Sequence, residues 1–443
     1  MAELDLLTDL IAAARRAGAD AADALYVESA ALSVAQRLGK PEKLEREESR
    51  DVGLRVFLGR RQAVVSTTDL GRAALEAVVE RAIAMARTVL EDPHCGLAQP
   101  AELAREWPAL DSADPVEPSA EALTQRAAAA EDSARAVPGV TNSEGGDASW
   151  SRSRVLLAAS NGFGGSYSVT RHGVSASVLA GSGTAMERDY DFSTAIHAAD
   201  LEDPAAVGRR AGERAVKRLN PRKAATMQAP VVYDPRVAGG ILGHFASAIN
   251  GSAIARGTSF LKDRLGQQVF PRGMTVIDDP HRRRGLRSKP FDGEGVANQR
   301  RALIEDGVLT TWILDLRSAR QLGLHSTGHA SRGTGGPPGP APTNLWLEPG
   351  PVTPVELIED IAQGLYVTEL IGFGVNGITG DYSRGAAGFW IENGAITHPV
   401  SEVTVAGNLS QMFRNLSAAC DLSFRTGMDA PTLRVDGMTI AGR

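Results

Sequence analysis

Apolar residues recur along the N-terminal half at alternating helical and strand spacings. Leu4, Leu7, Ile11 and Ala14 share one helical face. Tyr26–Gln36 and Gly53–Thr67 read as strands, with Gly59-Arg60 as a hairpin turn. Asp69 is the expected cap of a helix whose apolar set is Leu75, Val78, Val79, Ala82, Ile83 and Ala86. Pro93, Pro100, Pro108, Pro115 and Pro118 mark a linker over residues 91–118. The layout then recurs: a helix from Ser119 to near Ala136, strands at Arg154–Ala159 and Ser166–Leu179, and a helix with Asp203 at its cap and Pro204 in first position. Two helix–strands–helix units suggest an internal duplication of slight sequence identity.

The pattern changes after residue 220. Residues 1–229 hold 17 glycines and residues 230–443 hold 30. Asp234-Pro235 starts a helix with Val237, Ile241, His244, Phe245 and Ala248 on one face. Thr353-Pro354-Val355-Glu356 is a capping box, with Gly364 as the expected stop. Pro337–Pro342 is a short Pro/Gly-rich loop. The remainder alternates apolar residues between glycines, as in an antiparallel sheet curling toward a barrel. The expected fold is α+β in two domains: residues 1–225, carrying the duplicated layout, and residues 226–443, Gly-rich and mainly antiparallel β with helices.

Composition narrows the function classes. At 43% hydrophobic and 23% charged, the chain is an ordinary globular sequence. Its net charge of −6 argues against a nucleic-acid binder. Cys95 and Cys420 are too few for a disulfide framework or a four-cysteine zinc site. The start, Met-Ala-Glu-Leu-Asp, puts acids where a signal peptide needs Lys or Arg. Val237–Ala255, the longest stretch without Asp, Glu, Lys or Arg, contains His244, Ser247, Asn250, Ser252 and four glycines, and is not a membrane span. The expected compartment is the cytosol.

Several motifs favour structural readings. Gly372-Phe373-Gly374-Val375-Asn376-Gly377 is a literal GxGxxG, but Ile378-Thr379-Gly380-Asp381 after it are poor helix formers, so glycine turns in a sheet are expected. His325 and His329 have helical metal-ligand spacing but read as loop, with no acid nearby in sequence. His94 and Cys95 read as linker residues, and Cys420 as core in an apolar helical stretch. His281-Arg282-Arg283-Arg284 and Arg287, flanked by Asp278, Asp279, Asp292 and Glu294, read as a solvated hairpin tip with local ion pairing. The least ordinary segment is Gly380-Asp381-Tyr382-Ser383-Arg384-Gly385-Ala386-Ala387-Gly388-Phe389-Trp390. Its small residues around an Asp/Arg pair suit either a peptide-binding edge or a tight structural turn under an aromatic.

The chain resembles the TldD/PmbA family, also called modulator of DNA gyrase, and its PmbA (TldE) branch in particular. The likeness covers nearly the whole chain. It is strongest in Gly53–Leu70, Arg256–Val269, Pro290–Gly323 and Gly380–Leu416. The resemblance implies a peptidase system. A TldD-type subunit carries zinc on an HExxxH helix plus a cysteine, pairs with a PmbA-type subunit, and the pair cuts unstructured peptides in an enclosed chamber. Implied roles are maturation of peptide antibiotics and removal of antitoxin. By the same resemblance, Asp234–Ile249 corresponds to the zinc helix. His244 stands at the first ligand, Phe245 replaces the glutamate and Ile249 the second histidine. One imidazole does not make a catalytic zinc site, and no base remains to activate water. Phe245 and Ile249 extend the apolar face instead, which independently marks the helix as structural.

The expectation is a PmbA/TldE-like subunit that completes the chamber and holds the peptide as an added strand, while zinc sits on a TldD-like partner. No catalytic residue, metal ligand or cofactor is expected in this chain. Asp381, Ser383 and Arg384 are the expected peptide contacts, with Phe389 and Trp390 beneath. A homodimer is a further possible assembly; nucleic acid and membrane are not expected partners. The alternatives are an autonomous non-zinc hydrolase using Asp381 and His329, and a non-enzymatic regulatory binding protein in a gyrase–antitoxin circuit.

Overall fold

The computed structural model describes residues 2–442. Alternating burial along the long N-terminal strands puts one side of each on a covered face. The first elements are α1 (Ala2–Arg16), β1 (Ala21–Arg37), β2 (Lys40–Leu58), β3 (Arg61–Thr67) and α2 (Arg72–Thr88). After the proline-rich segment come α3 (Ala120–Arg135), β4 (Val140–Ala159), β5 (Gly164–Ala180), β6 (Glu187–Ala195) and α4 (Pro204–Lys217). The six strands form one antiparallel sheet, ordered β3-β2-β1-β4-β5-β6. Leu7, Leu10, Ile11 and Ala14 of α1 and Val78, Val79, Ala82 and Ile83 of α2 pack on Val52, Leu54, Val56 and Leu156. Leu123 and Ala127 of α3 pack on Leu32, Val34, Ala148 and Trp150 farther along the same face. Ala211 and Ala215 of α4 pack on Val174, Ala176 and Val178.

The C-terminal half opens with β7 (Met227–Tyr233) and α5 (Pro235–Ala248). β7 lies between strand Gln363–Val375, parallel to it, and strand Leu433–Ala441, antiparallel to it. Strand Asp381–Glu392 follows Gln363–Val375, and Ala395–Asn408 follows that. Pairing of Thr404–Ala406 with Thr439–Ala441 closes the curl, as the glycine-spaced pattern suggests. A smaller five-stranded sheet lies alongside. One large core fills this half and includes Val231, Tyr233, Ile241, Leu242, Phe245, Ile249, Phe270 and Phe413.

Buried charge and close backbone approach join the halves. Asp23 of β1 accepts from Arg55 of β2 at 2.9 Å and from Arg332 at 2.7 Å, and Arg55 reaches Glu294 at 3.4 Å. All four side chains are at most 4% exposed. A Cβ on Gly53 would stand 2.1 Å from Thr334 O, so only glycine lets the loop after Arg332 lie on β2. Phe291 packs edge-on against Phe163 and Trp107, each at 5.0 Å.

Several local expectations change. Asp69 does not cap α2. Its carboxylate is taken by Gly71 N at 2.8 Å in a turn, and Gly71 is the N-cap. The helix opened by Thr353 ends at Ile358, and Gly364 lies in the next strand against Pro230 O. Cys420 is an exposed bend residue, because the helix before it stops at Arg414 and a short strand follows. The arginine cluster pairs with the other half rather than locally: Arg283 and Arg284 reach Asp111, and Arg284 also reaches Asp200. Strand β2 starts well before Gly53; its first stretch is charged and exposed, so it carries no alternation to read.

Candidate functional site

Helix α5 begins on Asp234, whose side chain accepts from Arg236 N, with Pro235 in first position. Arg236 forks onto Asp189 of β6 at 2.6 and 3.1 Å, fixing the helix start against the N-terminal sheet. The buried face is Ala238, Ile241, Leu242, Phe245, Ala246 and Ala248, and Val237 and His244 stand at its margin. Phe245 meets Phe270 at 5.2 Å and Phe413 at 6.0 Å, and both Phe245 and Ile249 are fully buried. The two positions expected to have lost zinc chemistry are therefore packed into the core.

His244 turns toward the barrel strands. Its ring meets Tyr382 edge-on at 5.7 Å. The Tyr382 hydroxyl is buried beside the Tyr233 hydroxyl, which donates to Met438 Sδ at 3.3 Å. Burial, and then the Arg384 guanidinium, hold the His244 imidazole below its ordinary range. Zinc does not fit here. The site offers one imidazole, two phenols and a cation, and the same guanidinium that disfavours imidazolium disfavours a metal ion. Among the described residues, no group of three His, Cys, Asp or Glu side chains stands close enough to hold a metal.

The expected peptide-contact residues divide between the two faces and two ends of strand Asp381–Glu392. Asp381 and Ser383 are exposed on one face; Tyr382 and Arg384 alternate onto the other. Asp381 accepts from Thr379 Oγ1 at 2.6 Å and Asn408 Nδ2 at 3.2 Å, which hold its carboxyl below its ordinary range and pin the turn before the strand. Arg384 pairs with neither Asp381 nor Glu392. Among the described residues its one hydrogen bond runs from Nε to Ile371 O at 3.3 Å, with Phe373 at 5.9 Å from the guanidinium. Phe389 and Trp390 are half-buried at the far end of the strand, not beneath Arg384. The strand is also interior, paired on both sides, and has no edge for an added peptide strand. A Cβ on Gly388 would lie 1.9 Å from Tyr366 O, so that glycine admits a neighbouring strand of the same barrel.

The other motifs settle into the fold. The GxGxxG residues form the hairpin end between Gln363–Val375 and Asp381–Glu392, with Ile371, Phe373 and Ile378 exposed by 59%, 98% and 61%. His329 is buried, its Nδ1 at Thr327 Oγ1 (2.8 Å) and its Nε2 at Asp278 Oδ1 (3.1 Å). With Asp381 engaged by Thr379 and Asn408, the two candidates for an autonomous hydrolase have separate partners. Burial, and then Asp92, raise the Cys95 thiol, which disfavours the nucleophilic thiolate. Tyr233 was not singled out in the sequence, and Tyr382 stood within Gly380–Trp390 with no role assigned to it.

Three models of the PmbA/TldA metallopeptidase match in succession: domain 1 over residues 22–86, the central domain over 113–219 and the C-terminal domain over 226–442. Metalloprotease PmbA of Escherichia coli O157:H7 is 40% identical over 427 residues, 96% of this chain and 93% of that protein. The PmbA homologue of Haemophilus influenzae is 36% identical, over 97% and 94% of the two chains. A candidate modulator of DNA gyrase from Bacteroides thetaiotaomicron superposes with a TM-score of 0.91 at 27% identity, covering 99% of this chain and 98% of that one. TldE from Thermococcus kodakarensis shares the fold, with a TM-score of 0.88 at 20% identity over 99% and 100% of the chains.

Proposed function

This chain belongs to the PmbA/TldD metallopeptidase family, and from that premise we propose that it is a zinc-free, TldE-like subunit of a peptidase whose metal is carried by a TldD-like partner. The observation that carries this reading is the state of α5. Phe245 and Ile249 lie in the core where a zinc helix needs a carboxylate and an imidazole, and burial, then the Arg384 charge, hold the one histidine left in the helix below its ordinary range. The chain's task is then to wall the substrate chamber. Strand addition at Asp381–Glu392 is ruled out by pairing on both sides, so peptide contact there is made by side chains. Arg384 is the strongest candidate, because its Nη groups remain available for a peptide carbonyl or terminal carboxylate. Ser383 and Asp381 face the opposite side of the strand and serve a separate surface.

The supporting experiment is cleavage of an unstructured peptide by the purified chain, by an HExxxH-bearing relative, and by the two together. Activity is expected only with the relative present, and is expected to disappear with a chelator. Cleavage by this chain alone that survives chelation would replace the proposal with an autonomous, metal-independent hydrolase.

A further inference from the structure

The free edge of the N-terminal sheet points to a second copy of this chain. β2 pairs with β1 over almost its whole length, but β3 covers only Val52–Leu58 on the other side. Residues 40–50 are all exposed, and among the described residues no strand pairs with their outer edge. The segment reads Lys-Pro-Glu-Lys-Leu-Glu-Arg-Glu-Glu over residues 40–48, with one apolar residue, Leu44, 65% exposed. Edge charges and a proline, as at Lys40, Pro41 and Lys43, keep unrelated strands away. These charges are of mixed sign, and their arrangement about Leu44 is self-complementary.

Two copies related by a two-fold axis normal to the sheet pair antiparallel, and opposed side chains point to the same face, so one residue lies opposite its own copy. From Glu42 to Glu48 every residue except Leu44 is charged, so any other centre sets a charge against itself. Centred on Leu44, Lys43 opposes Glu45 of the second copy, Glu42 opposes Arg46, Lys40 opposes Glu48 and Pro41 opposes Glu47. Each ion pair is made twice and no like charges meet. The two leucines cover one another at the centre. In the single chain, Lys43 touches Glu45, and Arg46 touches Glu48 and Glu117, all at exposed positions that leave the backbone edge open.

We propose that Lys40–Glu48 is a homodimerisation edge, joining two N-terminal sheets into one continuous twelve-stranded sheet in the register centred on Leu44. Main-chain hydrogen bonds supply the association, and the charges select the register and reject unrelated edges. The inference does not rest on the peptidase reading.

The test is light scattering on the purified full chain. A dimer is expected that weakens as salt is raised, because the pairs lie near solvent. Glu42→Arg opposes Arg46 of the second copy and is expected to give a monomer. Adding Arg46→Glu to it restores attraction and is expected to restore the dimer. Residues 42 and 46 lie about 13 Å apart along one strand, so this rescue reports contact between chains. In a Cys420→Ser background, Leu44→Cys is expected to cross-link under mild oxidation, since opposed Cα atoms fall within disulfide range. A monomeric wild-type chain, a dimer indifferent to Glu42→Arg, or no cross-link through residue 44 would each overturn the proposal.

Discussion

Arg384 combines one long hydrogen bond, to Ile371 O, with a position over Phe373 and an electrostatic effect on His244. Removing it leaves the strand ladder intact, so Arg384→Ala is expected to change stability by no more than about 0.5 kcal/mol. Cleavage by the assembled pair is expected to fall by about 1.5–3 kcal/mol of charge-assisted hydrogen bonding, with Arg384→Lys recovering only part of it. Unchanged cleavage by a fully assembled Arg384→Ala complex would remove this residue from the peptide surface. The His244 imidazole reports on the same substitution. Loss of the neighbouring cation is expected to raise its pKa, while burial keeps it below the free value; NMR titration of the ring checks the direction.

Helix α5 is a packing element. Phe245 stands edge-on against Phe270 and Phe413, so Phe245→Ala is expected to destabilise the chain by about 3–5 kcal/mol in denaturant unfolding. Introducing Phe245→Glu with Ile249→His puts a carboxylate and an imidazole into fully buried apolar sites. That variant is expected to lose stability without gaining stoichiometric zinc. A folded double variant holding one zinc per chain by metal analysis would show that the helix kept its metal geometry. The sequence made this element legible, because its start signal and apolar face are local. Arg384 was singled out in sequence, but its approach to His244 was not legible, because 140 residues separate them and only barrel closure brings them near.

At the scale of the molecule, the joint between the halves is built from buried charge. Asp292 accepts from Glu294 N, Val296 N and Ala330 N, yet burial first, and then the Glu294 carboxylate, push its pKa up to about 7. A carboxyl raised in the folded state holds a proton that the unfolded chain releases. Its contribution to stability therefore declines as pH rises from about 4 to about 7 and is constant above that window. Relative to Asp292→Asn, the wild-type chain is expected to lose stability across that window, as measured by unfolding at a series of pH values. A difference independent of pH would contradict the assignment. Arg55, which holds Asp23 and Glu294 at once, is expected on replacement by Ala to cost about 3–5 kcal/mol by leaving buried carboxylates uncompensated. No helix among the described residues is long and apolar enough to cross a membrane.

The sequence by itself determined what local periodicity and caps encode: the helices begun by Ser119, Asp203 and Asp234, the hairpin at Gly59-Arg60, the α+β class and the absence of a zinc motif on α5. Those features depend on residues within a few positions of one another. Tertiary structure decided whatever depends on which strands become neighbours. It paired Asp381–Glu392 on both sides, leaving no edge for a peptide strand, and sent the arginine cluster to Asp111 and Asp200 instead of the acids beside it. It also left residues 40–50 at an open edge. The physical reason is that strand pairing and charge pairing join residues far apart in the chain, and a side chain's partner is set by the neighbouring strand rather than by its own sequence.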